Sequence, residues 1–143
     1  ADPGLSHALG LVLGLTDLFL PSGAELTLLT QATQSAGAVA ELLAKGITAI
    51  AHKEGAAGAT YHDANGSVTA PALAVESVDP TGAGDCFGAT FTSLWLRGTP
   101  PEDALRMANA SGALAVTRRG PMEGVSGLGE IAAALGRQGK DNA

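Results

Sequence analysis

A helical pattern that meets a strand pattern across one glycine constrains this chain more than any other feature in it. In "QSAGAVAELLAKGITAIAHK" the apolar residues Ala36, Val39, Ala40 and Leu43 recur at helical spacing between Gln34 and Lys45. Gly46 stands where a helix commonly ends on a left-handed residue, and Ile47 to Lys53 then reads as a strand. Upstream, "TDLFLP" (Thr16 to Pro21) is a short apolar run stopped by proline, as a buried strand would be. Downstream, Asn65-Gly66 divides two alternating segments, a strong short-range hairpin signal. Gly84 to Leu96 reads as a helix with Gly98 past its end. Thr99-Pro100-Pro101-Glu102 reads as a capping box that launches a helix from Pro101 to about Thr117. A last amphipathic stretch runs from Leu128 to Arg137, and the tail "GKDNA" is expected to be loose. Helix and strand alternate, so the expected class is α/β, with a mostly parallel sheet covered by helices.

At 143 residues the chain is long enough for one domain with one buried core. It is 45% hydrophobic and only 3% aromatic, so Ala, Leu and Val are expected to build that core. A net charge of −6 argues against nucleic acid or an anionic membrane as partner. A nucleotide stays open, because a small phosphate site can be made from backbone N–H groups. The single cysteine, Cys86, rules out an internal disulfide and suits a reducing compartment, hence the cytoplasm. No apolar run reaches the roughly 18 residues of a membrane span. The opening "ADPGLSHALG" has no basic n-region or cleavage pattern, so no signal peptide is expected; it also lacks a starting Met.

The chemistry concentrates in "SVDPTGAGDCFGATF" (Ser77 to Phe91), where three small residues stand between two aspartates at the start of an apolar helix. Glycines let backbone approach an anion closely, and a helix beginning at Gly84 would aim its positive end at the same spot. Asp85 would then lie in the first turn, placed to act as a general base beside held negative charge. The plain alternative is a tightly packed turn whose aspartate only complements the helix dipole.

The string "VDPTGAGDCFGATF" closely resembles the C-terminal D-T-x-G-A-G-D signature of the ribokinase-like (PfkB) carbohydrate kinases. "DLFLPSGAEL" resembles that family's strand followed by P-N-x-x-E, and "KEGAAG" its K/T-x-G-x-x-G turn before the hairpin near the nucleotide. "NASGALAVTRRGP" resembles the helix and loop that bound the adenine pocket and a monovalent-cation site. The resemblance implies a Rossmann-like three-layer α/β/α fold and phosphoryl transfer from ATP, with Mg2+, to a hydroxyl of a sugar or sugar acid. It implies that Asp85 is the catalytic base and that Gly82, Ala83 and Gly84 form the anion hole. Asp79 and Thr81 fall at the monovalent-cation (K+) site, which carbonyls near Val116 to Gly120 would complete. Glu25 falls at the position that acts through magnesium, and Lys53, Gly55, Gly58 and Asn109 fall where the nucleotide is contacted.

Members of that family are about twice this length, so the resemblance covers a C-terminal, ATP-binding part: residues 1–143 as one α/β unit, without the N-terminal sugar-binding half and lid. The chain alone is therefore expected to be inactive, and a homodimer of the full-length enzyme stays open. Two positions depart from the family pattern. Ser22 replaces the usual Asn of P-N-x-x-E, and Pro80 stands where Thr is common. His7, His52 and His62 lack metal-site spacing and read as structural. Arg118 and Arg119 read as a solvated loop pair, and Phe91 with Trp95 as core. Cys86 reads as a small buried helix residue, although a helix N-terminus lowers thiol pKa and leaves a reactive thiol open. The rival from another class is a non-catalytic nucleotide-binding or interaction module on the same scaffold. A dinucleotide-binding oxidoreductase fits poorly, because "GAGDCFG" lacks the G-x-G-x-x-G spacing.

Overall fold

The computed structural model describes residues 3–141. The elements in order are α1 (Pro3–Leu13), β1 (Leu18–Phe19), α2 (Glu25–Leu28), α3 (Ser35–Ala44), β2 (Ala49–Lys53), a 3-10 turn at Gly55–Ala57, β3 (Ala59–Asp63), β4 (Gly66–Ala70), α4 (Ala83–Leu96), α5 (Pro101–Ala115) and α6 (Leu128–Asp141). The chain divides into two compact units: Ala1–Glu54 with Thr60–Val68, and Gly55–Ala59 with Thr69–Ala143.

The sheet runs in the order β1-β2-β3-β4. β1 lies parallel to β2, with Leu18 opposite Ala49 and Phe19 opposite Ile50, across the α2–α3 crossover such a pair requires. β1 ends after Phe19, but contact with β2 continues through the Lys53 N–H on the Pro21 carbonyl (2.8 Å) and a single bridge between Ser22 and Lys53; Pro21 itself has no N–H to give. The strand expected over Thr16 to Pro21 is therefore shorter than its apolar run. The connections 54–58 and 64–65 are too short for crossovers, so β2–β3 and β3–β4 are antiparallel. The sheet is mixed, and the expectation of a mostly parallel one is corrected.

The hairpin forms one residue earlier than Asn65-Gly66 implies. Asp63 Oδ1 accepts the N–H groups of Asn65 (2.7 Å) and Gly66 (3.2 Å), and Gly66 alone takes the positive φ.

The first unit has its core around Leu13, Leu26, Ala38, Leu42, Ile47 and Ile50. In α3 the buried stripe is Ala38 and Leu42, whereas Ala36 and Ala40 of the expected stripe are exposed. In the second unit α4 buries Phe87, Phe91 and Leu94, and α5 buries seven residues from Ala104 to Ala115. No valine is fully buried among the described residues; isoleucine and phenylalanine take the places expected of it. The α5 cap is Pro100 with no side-chain hydrogen bond, so the box read at Thr99 and Glu102 is not made. Glu102 and Asp103 instead complement the helix dipole from the first turn. The helix over Leu128 continues to Asp141, through part of the tail expected to be loose; Asn142 and Ala143 lie outside the described residues.

Candidate active site

The approach to α4 is organised by the carboxylate of Asp79. Its Oδ1 accepts the N–H of Thr81 at 3.0 Å, a turn that places Pro80 at the corner. Its Oδ2 accepts the N–H of Gly120 at 3.0 Å, 41 positions along the chain. The N–H groups of Val78 and Asp79 both donate to the Val116 carbonyl, at 2.8 and 3.1 Å. Residues 78–81 and 116–120 thus form one hydrogen-bonded structure. The Thr81 hydroxyl, then the N–H groups of Thr81 and Gly120, hold the Asp79 carboxyl down at about 2.

Gly82 turns this loop into the helix. Its backbone is left-handed (φ 84, ψ −8), and a Cβ there would lie 2.5 Å from the Pro121 carbonyl oxygen. Conformation and space both require glycine. The helix then begins with no side-chain cap. Ala83 N–H reaches the Pro80 carbonyl only at 3.4 Å, and Cys86 N–H closes the first good bond, on Gly82 at 2.9 Å. Among the described residues the N–H groups of Gly82, Gly84 and Asp85 take no partner. Open N–H groups at the positive end of a 14-residue helix are a donor set suited to an anion. Asp85 follows in the first turn, exposed to solvent.

α5 fixes this end of α4 from behind. A Cβ at Gly112 would lie 3.1 Å from the Ala83 carbonyl, so the two helices meet there at close range. Thr90 Oγ1 donates to Ser111 Oγ (2.9 Å), and Ser111 Oγ donates to the Cys86 carbonyl (3.3 Å). Burial first, and the negative charge of Asp85 second, push the Cys86 thiol up. Both causes act against the lowering expected of a thiol at a helix N-terminus.

Gly58 and Asn109 converge on the chain leaving β4. Gly58 is buried, and any Cβ on it would overlap the backbone of residues 70–72. The Asn109 side-chain amide donates to the carbonyls of Ala70 (2.9 Å) and Pro71 (3.1 Å). Gly55 opens the 3-10 turn that leads to Gly58.

Glu25 and Lys53 lie in the other unit. Glu25 Oε2 accepts the Ser22 N–H at 2.7 Å, and Glu25 N–H donates to the Ser22 carbonyl at 2.9 Å. These two bonds close a reciprocal S-x-x-E turn just ahead of α2, whose own N-cap, Ala24, makes no side-chain bond. The sequence signal was there, at Ser22 and Glu25. The turn is pinned to β2 by Lys53 N–H on the Pro21 carbonyl (2.8 Å) and Gly23 N–H on the Lys53 carbonyl (2.9 Å). Among the described residues no three His, Cys, Asp or Glu side chains gather as a metal cage. Glu25 stands as a single carboxylate, the kind of supply Mg2+ accepts when phosphates and water fill its other positions.

The histidines occupy separate places. His7 is exposed on α1, and His52 is buried against the Gly23 carbonyl at 2.9 Å. His62 Nδ1 lies 2.7 Å from Ser67 Oγ, and burial, with His52 nearby, holds its imidazole below the usual range. Arg118 and Arg119 are exposed, Phe91 is buried and stacks on Phe87, and Trp95 is half-buried. The sequence reading did not foresee that the Pro121 carbonyl abuts Gly82 or that the Gly120 N–H binds Asp79.

The pattern of the pfkB family carbohydrate kinases matches residues 2–127. The chain belongs to that family. As a pfkB family member it is 34% identical over 133 residues to the 2-dehydro-3-deoxygluconokinase of Bacillus subtilis (strain 168), covering 92% of this chain and 41% of that one. It is 45% identical over 71 residues to the ATP-dependent ribose-1-phosphate kinase of Halopiger xanaduensis, covering 50% of this chain and 24% of that one. An E. coli protein assigned as a ribokinase II, solved with ATP and Mg2+, superposes at a TM-score of 0.90 with 45% identity, over 94% of this chain and 44% of that one. A fructokinase double mutant from Vibrio cholerae O395, bound to fructose, ADP and potassium ion, superposes at 0.83 with 28% identity, over 92% and 44%. The fold is the ribokinase-like α/β fold, of which this chain covers a part. The chain spans less than half the length of each of these relatives. Among the described residues no helix is long and apolar enough to cross a membrane.

Proposed function

We propose that this pfkB chain carries the nucleotide site, anion hole and catalytic base of an ATP-dependent kinase acting on a hydroxyl of a sugar or sugar acid. The observation that carries the reading is the junction at Gly82. There a left-handed glycine leads into an uncapped helix, the N–H groups of Gly82, Gly84 and Asp85 take no backbone partner among the described residues, and Asp85 stands in the same turn. Mg–ATP, when bound, supplies the phosphoryl group, with the metal offsetting charge on its oxygens.

The N–H groups of Gly82, Gly84 and Asp85 would donate to the negative charge of the moving phosphoryl, with Ala83 between them. The Asp85 carboxylate would take the proton from the attacking hydroxyl. The Oε1 of Glu25, left over by the Ser22 contact, would meet magnesium or its waters. Lys53, Gly55, Gly58 and Asn109 would line the nucleotide; Gly58 and Asn109 do so by shaping residues 70–72. A monovalent cation suits the all-oxygen donor set of Asp79, Thr81 and the 117–120 carbonyls, where Asp79 stays anionic. On this reading the sugar-binding residues and lid belong to the part of such an enzyme that this chain does not match, so the chain alone binds nucleotide without turning over sugar.

Calorimetric titration with Mg–ATP, followed by coupled ADP detection over ribose, fructose and 2-dehydro-3-deoxygluconate, tests the reading. Nucleotide should bind this chain, and no sugar should be turned over by it alone. In an enzyme containing this chain, Asp85→Asn should lower kcat by about 10²- to 10⁴-fold and leave ATP affinity within a few-fold. Near-normal kcat in that variant would refute the role of Asp85.

A further inference from the structure

His52 occupies the fourth position of β2, only 6% exposed, in a strand whose other buried members are Ala49, Ile50 and Ala51. An imidazole in such a place requires a partner. Its Nε2 lies 2.9 Å from the Gly23 carbonyl oxygen. A carbonyl only accepts, so Nε2 carries the proton and donates. Nδ1 faces Glu54 Oε1 at 3.9 Å, beyond hydrogen-bond range, and Thr60 Oγ1 donates to the other Glu54 oxygen at 3.0 Å. His52 lies on the same face of β2 as Ile50, which packs in the cluster that holds Leu26 of α2.

Gly23 is where the backbone leaves the sheet. Up to that point the chain is tied to β2 through the Pro21 carbonyl and the Gly23 N–H. Beyond it, Glu25 closes back on Ser22 through its own N–H and carboxylate. The peptide between these ties is held from the sheet by the imidazole, the partner of its carbonyl oxygen.

We infer that His52 is a positioning residue, whose Nε2–H holds the Gly23 carbonyl and so fixes the Ser22–Glu25 turn that presents the Glu25 carboxylate to the metal and phosphates. This rests on the role proposed for Glu25. It assigns a task to a histidine that sequence reasoning left as structural, and it explains why a polar ring interrupts an apolar strand.

The test compares the 143-residue chain with His52→Leu and His52→Gln. Amide exchange of Ser22 and Gly23 is followed by NMR against α5 amides as reference. Mn2+ affinity in the presence of ADP is measured on the same samples by electron paramagnetic resonance. His52→Leu should speed exchange at Ser22 and Gly23 by about tenfold, the scale of one buried hydrogen bond, and weaken Mn2+ binding several-fold. His52→Gln, which keeps an N–H donor at similar reach, should restore both. Unchanged exchange in the leucine variant, or equal behaviour of the two variants, overturns the inference. Faster exchange with unchanged Mn2+ affinity overturns it as well, because the turn would then be held without serving a metal. A wild-type chain that binds no Mn–ADP sinks the kinase reading instead, and the exchange comparison still judges the His52 tie. Should His52→Leu fail to fold, His52→Asn, whose amide falls short of Gly23, takes its place.

Discussion

Replacing Gly82 by alanine should separate two demands that meet at the head of α4, and Gly98 supplies the control. Both glycines are left-handed, with φ of 84 and 73. A Cβ at Gly98 would meet nothing within 4 Å, whereas at Gly82 it would stand 2.5 Å from the Pro121 oxygen and 3.3 Å from its carbonyl carbon. The left-handed backbone costs alanine about 1–2 kcal/mol in each case, offset by about 0.4–1 kcal/mol from the less flexible unfolded chain. Gly98→Ala should therefore cost about 1 kcal/mol. Gly82→Ala adds the displacement of the 120–122 backbone, an overpacking cost of about 1–3 kcal/mol, for a total of about 3 kcal/mol. At about 2–4 °C per kcal/mol for a chain near this size, Tm should fall by about 3 °C for Gly98→Ala and about 9 °C for Gly82→Ala. Thermal denaturation followed by circular dichroism reads the difference. If Gly82→Ala loses no more than Gly98→Ala, the approach to Pro121 carries no packing cost.

Asn109→Leu removes the donors of both carbonyl contacts and leaves Ala70 and Pro71 without them, so it should cost about 2–4 kcal/mol, read as a fall of about 1 M in the urea midpoint. An unchanged midpoint would show that water replaces the amide freely. Asp79 makes a pH prediction: its folded carboxyl sits at about 2 against 3.8 ordinarily, so its contribution is complete above about pH 4 and is lost as pH falls toward 2. Asp79→Asn should lower stability at pH 5 and show a shallower decline between pH 4 and 2; equal declines in both proteins would remove Asp79 from the account.

What could be read from sequence was what the local chain dictates. Gly46 and Gly98 follow their helices with positive φ, Pro101 opens α5, and α4 starts within one residue of the expected place. These are choices of backbone conformation, which neighbouring residues settle. α1 was missed; the glycines at positions 4 and 10 weaken its helical pattern. In α3, alanines on both faces blur the stripe, so Ala36 and Ala40 looked as apolar as the buried Ala38. The string Asp79 to Asp85 drew the eye as a candidate site because its donors and its carboxylate are adjacent in the chain. Its supports were not legible, since Gly120, Pro121, Gly112 and Ser111 reach it only through tertiary packing. Glu25 shows both sides: its position was legible, while its bond to Ser22 and the His52 tie to Gly23 depend on how the turn sits against β2.

The bonds from Val78 and Asp79 to Val116, and from Gly120 to Asp79, join the two ends of the stretch that contains α4 and α5. That stretch is a closed loop stitched at its neck. An uncapped helix ordinarily frays from its first turn, but here the first turn adjoins the stitch, so it comes loose only when the whole loop opens. Local opening is replaced by cooperative opening. On the proposed reading, an anion at the head of α4 would meet N–H groups already held in place by that stitch.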